Sequence, residues 1–572
     1  MRTEKESEGN VNSKDKPSGQ SFSMLRILTS CFFLFVIASY LINAQSENNT
    51  EGLNGNLVDV YWLEKNLKNE NILIIDASPD QIYTAKHISG AINYDIFSYG
   101  PQELPDGEIE KRYQSWGISP GKKIVIYDQG GTFLATRFFF SLYYYGFPVE
   151  DLFILDGGLS KWLDVGLPIT IEKTPTIKKG TFTINKINEE VAPELPEFIT
   201  ASGNTGSNVL LEALDPDWHF GGLTFFDKPG HIPNAIMTPS TDYFNPDKTF
   251  KSPEEIRKMM TYLGVRKDQQ IYTHCGGGIA ASVPFFALKF ILDYPKVKLY
   301  RGSQLEWVSD QRELPMWTYD APYIMRETQW LKFWGGKTAR MYGISNVTIL
   351  DVRSEREFYE GHIPFAINIP SDLFNSNITN PGKLAEILGQ FGVNASDEAV
   401  VISGSGLTKE SALAFVMLEK LGQKKVSIYL DARDKWTELG LTVIKDTAVV
   451  DPKKVSGVLS NQATTYPVNL RKDVIFEDAN TTKGLYPKVF IASGEKAPLK
   501  VANEKVIHIP YTALINADGT PKEAKEIWKI LNKSEVPRYA ELVCISEEPG
   551  EAAINYFILK LMGYPDIKVL VM

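Results

Sequence analysis

One phrase recurs along this chain at nearly constant distance from a second one, and that recurrence limits the folds open to it. Lys86-His87-Ile88-Ser89-Gly90-Ala91-Ile92 returns as Gly230-His231-Ile232-Pro233-Asn234-Ala235-Ile236 and again as Gly361-His362-Ile363-Pro364-Phe365-Ala366-Ile367. An apolar run ending in an acid precedes each copy: Ile72–Asp76, Val209–Glu212 and Val347–Asp351. A second apolar run follows each, Ile124–Tyr127, Gln270–His274 and Ala399–Ser403, and opens into a loop of small residues. Those loops are Asp128-Gln129-Gly130-Gly131, Cys275-Gly276-Gly277-Gly278 and Gly404-Ser405-Gly406-Leu407, lying 41, 44 and 42 residues after the motif histidine. A tryptophan phrase closes each unit, at Trp162, Trp307 and Trp436.

A fourth, fainter unit reads Val506-Ile507-His508-Ile509-Pro510, then Leu542–Ser546, with Glu547-Glu548-Pro549-Gly550 in the loop position. Short apolar strands alternating with helical stretches argue for an α/β chain of open parallel sheets with helices on both faces. Ligands in such sheets bind beyond the carboxyl ends of the strands, which directs attention to the small-residue loops. The repeat divides the chain into residues 50–175, 190–325, 330–447 and 450–572. Linkers are expected near Thr174–Pro196, Asp320–Thr338 and Asp446–Asn461, and residues 50–325 should form a separable half.

Composition narrows the function. With 572 residues the chain is too long for one core. Its 60 basic and 70 acidic side chains leave a net charge of −10 with no basic block, which argues against nucleic acid as a partner. Three scattered cysteines exclude a disulfide scaffold. Together with only six histidines, they give no zinc-ligand spacing, and no cofactor is called for. Residues 1–45 form a polar tail and an apolar segment. From Met24, a short basic start, the 16-residue apolar run Ile27–Ile42 and Ala44 have the layout of a secretory signal. An uncleaved membrane anchor is the alternative, and Cys31 falls within this segment. The expected location is therefore exported, periplasmic or secreted, or anchored with an exported body.

The ordered phrases resemble tandem rhodanese domains, the sulfurtransferase family, across residues 50–447 and more faintly across 450–572. The resemblance implies four tandem rhodanese-like domains. Units one and two match the family's pairing of a cysteine-less domain with a catalytic one, and units three and four look like a second pair. It also implies transfer of sulfane sulfur from thiosulfate, 3-mercaptopyruvate or a related donor to cyanide or a thiol, protein thiols included.

Cys275 would carry the sulfur as a persulfide. Glycines beside it allow backbone N–H groups to turn inward, so Gly276, Gly277, Gly278, Ile279 and Ala280 are candidates to hold the anion. The donor-binding arginine expected after the strand's acid is present in unit three (Arg353) but not in unit two, which reads Glu212-Ala213-Leu214. His219, or Arg137 reaching across from unit one, could stand in for it. Phosphatase chemistry on this fold needs Cys-x5-Arg, and Ala281 occupies the arginine's place. Cys544 lies within a strand and reads as buried packing; His87, His231 and His362 read as structural. The rival to an enzyme is a non-catalytic rhodanese-like scaffold, since Asp128 and Gly404 cannot carry a persulfide.

Overall fold

The computed structural model describes residues 52–98, 104–173, 176–224, 227–431, 433–445, 463–476, 484–496 and 505–571. The expected signal segment and the linker Asp446–Asn461 lie outside these described residues. Four sheets repeat one strand order. In the second unit the order is Ala235–Met237, Asn208–Glu212, Gln270–His274, Val297–Leu299, all parallel. The third runs Ala366–Asn368, Val347–Asp351, Glu398–Ile402, Lys425–Tyr429, Met325–Arg326. The fourth runs Val506–His508, Lys488–Ala492, Glu541–Ser546, Ile567–Val571, Ile475–Phe476. The first matches them through Ile92–Asn93, Ile72–Asp76, Lys123–Tyr127 and Leu152–Leu155, and adds a short hairpin at its far edge.

The strands are continuous apolar runs because both faces of each sheet are covered. Their two faces nevertheless have different neighbours. One face of the first sheet shares a core with one face of the second, where Phe139 meets Phe286 and Phe140 meets Phe285. The third and fourth sheets share another, with Phe415 against Phe557 at 5.1 Å. The opposite faces carry smaller, separate cores. The units therefore come in pairs, one and two, three and four.

The pairs are joined more tightly than the sequence suggests. The expected linker Asp320–Thr338 contributes the strand Met325–Arg326 to the third sheet and the helix Thr328–Trp334, so the third unit begins before residue 330. Buried backbone N–H groups need partners, which explains why an apolar-rich connector docks instead of trailing through solvent. Phe220 of the second unit stacks on Trp528 of the fourth at 5.6 Å. The Tyr262 hydroxyl donates to the Ala540 carbonyl at 2.9 Å, and Ala321 N–H to the Leu561 carbonyl at 3.2 Å. Residues 50–325 thus share an interface with the rest of the chain.

Candidate active site

Cys275 follows the strand Gln270–His274 directly and is 3% exposed. The Gly278 N–H donates to its Sγ at 3.2 Å. Gly278 has φ +80, and a Cβ there would collide with the Arg301 carbonyl. A Cβ on Gly277 would meet nothing within 4 Å, so the loop has open space on that side. The chain turns through Ile279 and Ala280, whose carbonyls accept from Ser282 and Val283 N–H, into the helix Ser282–Phe286. The sequence expectation that Ile279 and Ala280 N–H groups also face the sulfur is not matched by a hydrogen bond to Sγ among the described residues.

The loop is held from behind by the phrase Arg301-Gly302-Ser303-Gln304, whose local role the sequence reading missed. Cys275 N–H donates to Ser303 Oγ at 3.0 Å, and Gln304 N–H donates to the Cys275 carbonyl at 3.0 Å. Ser303 adopts φ 50, a left-handed conformation costly for a residue with a Cβ. The corresponding residue of the first unit is Gly158, at φ 54, which was the available signal. The Arg301 guanidinium lies 4.5 Å from the Tyr144 ring of the first unit.

Beneath the loop is a buried charge network. Glu212, fully buried, pairs with His219 Nδ1 at 2.5 Å and accepts from Gln304 Nε2 at 2.6 Å. Gln304 Nε2 also lies 3.2 Å from the Gly230 carbonyl. In unit three, Arg353 makes both kinds of contact, to Asp351 at 2.5 Å and to the Gly361 carbonyl at 3.1 Å. His219 and Gln304 thus divide the work of the missing arginine. His219 uses its second nitrogen on Asp320, at 3.0 Å, so both ring nitrogens are engaged and the side chain is fully buried. It serves the strand-end acid rather than facing the Cys275 loop.

Burial works against the charge on His219, but the carboxylates of Asp320 and Glu212 outweigh it and push its pKa up to about 9. Burial raises Glu212, and the three surrounding histidines, His219 first, bring it net below its ordinary value. Burial, then the His219 charge, pushes His231 down to about 4. His274, directly before Cys275, is also pushed down to about 4 by burial. It is therefore a neutral packing residue at pH 7, against the Phe198 ring at 5.3 Å.

Arg137 is 2% exposed on the helix Leu134–Tyr144 of unit one, 5.6 Å from the Phe140 ring. That helix abuts the helix following the Cys275 loop: Thr136 Oγ1 lies 2.8 Å from Ser282 Oγ. The three motif histidines hold the chain, each through Nδ1 on a backbone carbonyl: His87 on Tyr83, His231 on His219, His362 on Phe358. Cys544 is fully buried mid-strand, and burial pushes its thiol pKa far up.

The profile of the rhodanese-like domain matches residues 59–164, 197–310 and 337–439, more than half of the chain. The fourth sheet lies outside those matches but repeats their strand order. The sulfur carrier protein TtuD of Thermus thermophilus is 30% identical over 267 residues, covering 44% of this chain and 93% of that protein. The 3-mercaptopyruvate sulfurtransferase of Escherichia coli is 29% identical over 271 residues, covering 44% and 94%. The crystal structure of SseA from Escherichia coli aligns at 28% identity and a TM-score of 0.39, covering 44% of this chain and 99% of that one.

Proposed function

The chain belongs to the rhodanese-like domain family, and from that premise we propose that it is a sulfurtransferase working through a persulfide on Cys275. The observation that carries the reading is a cysteine at a strand end with a glycine N–H aimed at its sulfur. A thiolate there attacks the outer sulfur of the donor. The new S–S bond forms as the donor's bond to that sulfur breaks, leaving sulfite from thiosulfate or, from 3-mercaptopyruvate, the enolate of pyruvate, which takes up a proton to give pyruvate. An acceptor thiolate or cyanide then takes the outer sulfur and returns Cys275 as thiolate.

For the donor we rank 3-mercaptopyruvate above thiosulfate. The loop carries no Arg or Lys, and burying a dianion without paired positive charge is costly. Arg137 follows Thr136, the residue that bonds Ser282 just beyond the loop, and is our choice to hold the donor carboxylate. Comparing kcat/KM for the two donors with one acceptor decides the order, and Arg137→Ala should raise KM for 3-mercaptopyruvate more than for a neutral persulfide. A preference for thiosulfate would reverse the ranking. The test of the activity itself is thiocyanate formation from cyanide, which Cys275→Ser should abolish; turnover persisting in that variant would defeat the reading.

We read the second pair as non-catalytic. Its loop at Gly404 is closed by the fourth unit, where the Gly519 carbonyl accepts from Leu407 N–H at 2.8 Å. The segment Met24–Ala44 supports export, which sequencing the mature amino terminus checks.

A further inference from the structure

Unit two departs from its sisters in one ring. In units one and three the motif histidine stacks on an aromatic ring four residues earlier: His87 on Tyr83 at 4.0 Å, His362 on Phe358 at 3.7 Å. In unit two the ring beneath His231 is His219, twelve residues earlier, stacked at 3.7 Å and 2°. Two imidazoles therefore face each other where units one and three have one imidazole against the ring of Tyr83 or Phe358.

Both are anchored by Nδ1, His219 on the Glu212 carboxylate and His231 on the His219 carbonyl, which leaves Nε2 of each as the nitrogen available to a ligand. Metal-binding histidines are held this way, by a carboxylate or a carbonyl on the other ring nitrogen. Asp320 brings a carboxylate oxygen 3.0 Å from His219 Nε2. His231 is fully buried and its Nε2 has no hydrogen-bond partner among the described residues, an expensive omission for a polar atom. One ligand atom from each of the three residues lies within 4.8 Å of the others.

We propose that His219 Nε2, His231 Nε2 and Asp320 form a binding site for a divalent cation of the Zn2+ class. Two imidazoles and one carboxylate are a donor set that suits such an ion, with a fourth position left for water or a small ligand. Tetrahedral Zn2+ holds two imidazole nitrogens roughly 3.3 Å apart. The rings stand parallel with centroids 3.7 Å apart, so binding draws their Nε2 edges together, and the ion replaces the proton that His219 Nε2 shares with Asp320. Access is through Asp320, which lines a cavity of about 320 Å3 between the second and fourth sheets, with Phe220, Trp528 and Tyr564. The ligands lie 12 and 89 residues apart along the chain, so sequence spacing conceals them. The cation ties the segment joining the two pairs to the second unit, a role separate from sulfur transfer.

The experiment uses the full chain carrying Cys31→Ser and Cys275→Ser, which leaves only the fully buried thiol of Cys544, after chelation and dialysis. Titration with Zn2+ followed calorimetrically should show one ion per chain, and Co2+ should give the visible absorption of a tetrahedral site. The 15N resonances of both Nε2 atoms should shift on Zn2+ addition. Asp320→Asn keeps a hydrogen-bonding group at the cavity wall and should weaken affinity at least tenfold, since even supporting partners are worth about 10–100-fold. His231→Gln should weaken it similarly, with circular dichroism confirming the fold of both. Failure to take up one ion, unshifted Nε2 resonances, or unchanged affinity in either folded variant would overturn the site.

Discussion

The loops of units one and two occupy the same strand end and hold different groups. In unit one the Asp128 carboxylate accepts from Gly130 N–H at 2.7 Å, Thr132 Oγ1 at 2.6 Å and Ala135 N–H at 3.0 Å. The Lys248 side chain of unit two then lies across Gly130 and Gly131. In unit two Cys275 Sγ receives the Gly278 N–H, and space remains open beside Gly277. Both loops are built to hold an anion. One supplies its own as a carboxylate, and the other leaves the place to the Cys275 sulfur, which on the proposed function is loaded and emptied. Unit three repeats the closure by other means, with the Asn516–Thr520 turn of unit four lying on its loop as the equivalent Asn245–Thr249 turn of unit two lies on the first. The two loops of units one and three, which lack the cysteine, are thus both filled.

The contrast can be broken at its strongest point first. Gly278→Ala places a Cβ at a left-handed φ and against the Arg301 carbonyl, so the loop must move. A displacement of about 1 Å there is expected to lower kcat/KM roughly 100-fold, whereas Gly277→Ala, facing open space, should change the fold little; equal losses would show that loop shape is not what matters. Asp128→Ala should remove the acceptor of a buried N–H and destabilise unit one by roughly 1–3 kcal/mol. Hydrogen exchange at the Ala135 amide, markedly faster in the variant, is the readout. The smallest effect concerns the contact between the two units. Burial pushes Asp156 up to about 6, although its carboxylate accepts from Phe250 N–H at 2.7 Å. Because the folded value lies above the ordinary 3.8, folding binds this proton more tightly. The stabilisation is complete below 3.8 and is lost as pH rises through about 6. Asp156→Asn should flatten that slope in thermal melting curves.

Much of this was legible in the sequence because it is carried by local phrases. Strand, glycine loop and motif histidine are short-range features, so the place of the Cys275 loop at a strand end and the repeated parallel sheets followed from spacing. Placing Cys544 inside a strand needed only the register of the apolar run. The pairing of cores was not legible, because continuous apolar strands do not say which face meets a helix and which a neighbouring unit. Nor was the part of His219, whose partners Glu212 and Asp320 come from a strand end and from a connector over one hundred residues later along the chain. A signal was available: His219 stands where Tyr83 and Phe358 stand in the sister units, displaced by extra residues before the motif.

The most direct measurement is intact-protein and peptide mass spectrometry after exposure to 3-mercaptopyruvate or thiosulfate. The account predicts one added sulfur atom, on the peptide containing Cys275, lost on adding cyanide. Sulfur on the Cys544 peptide, or stable uptake by Cys275→Ser, would contradict it.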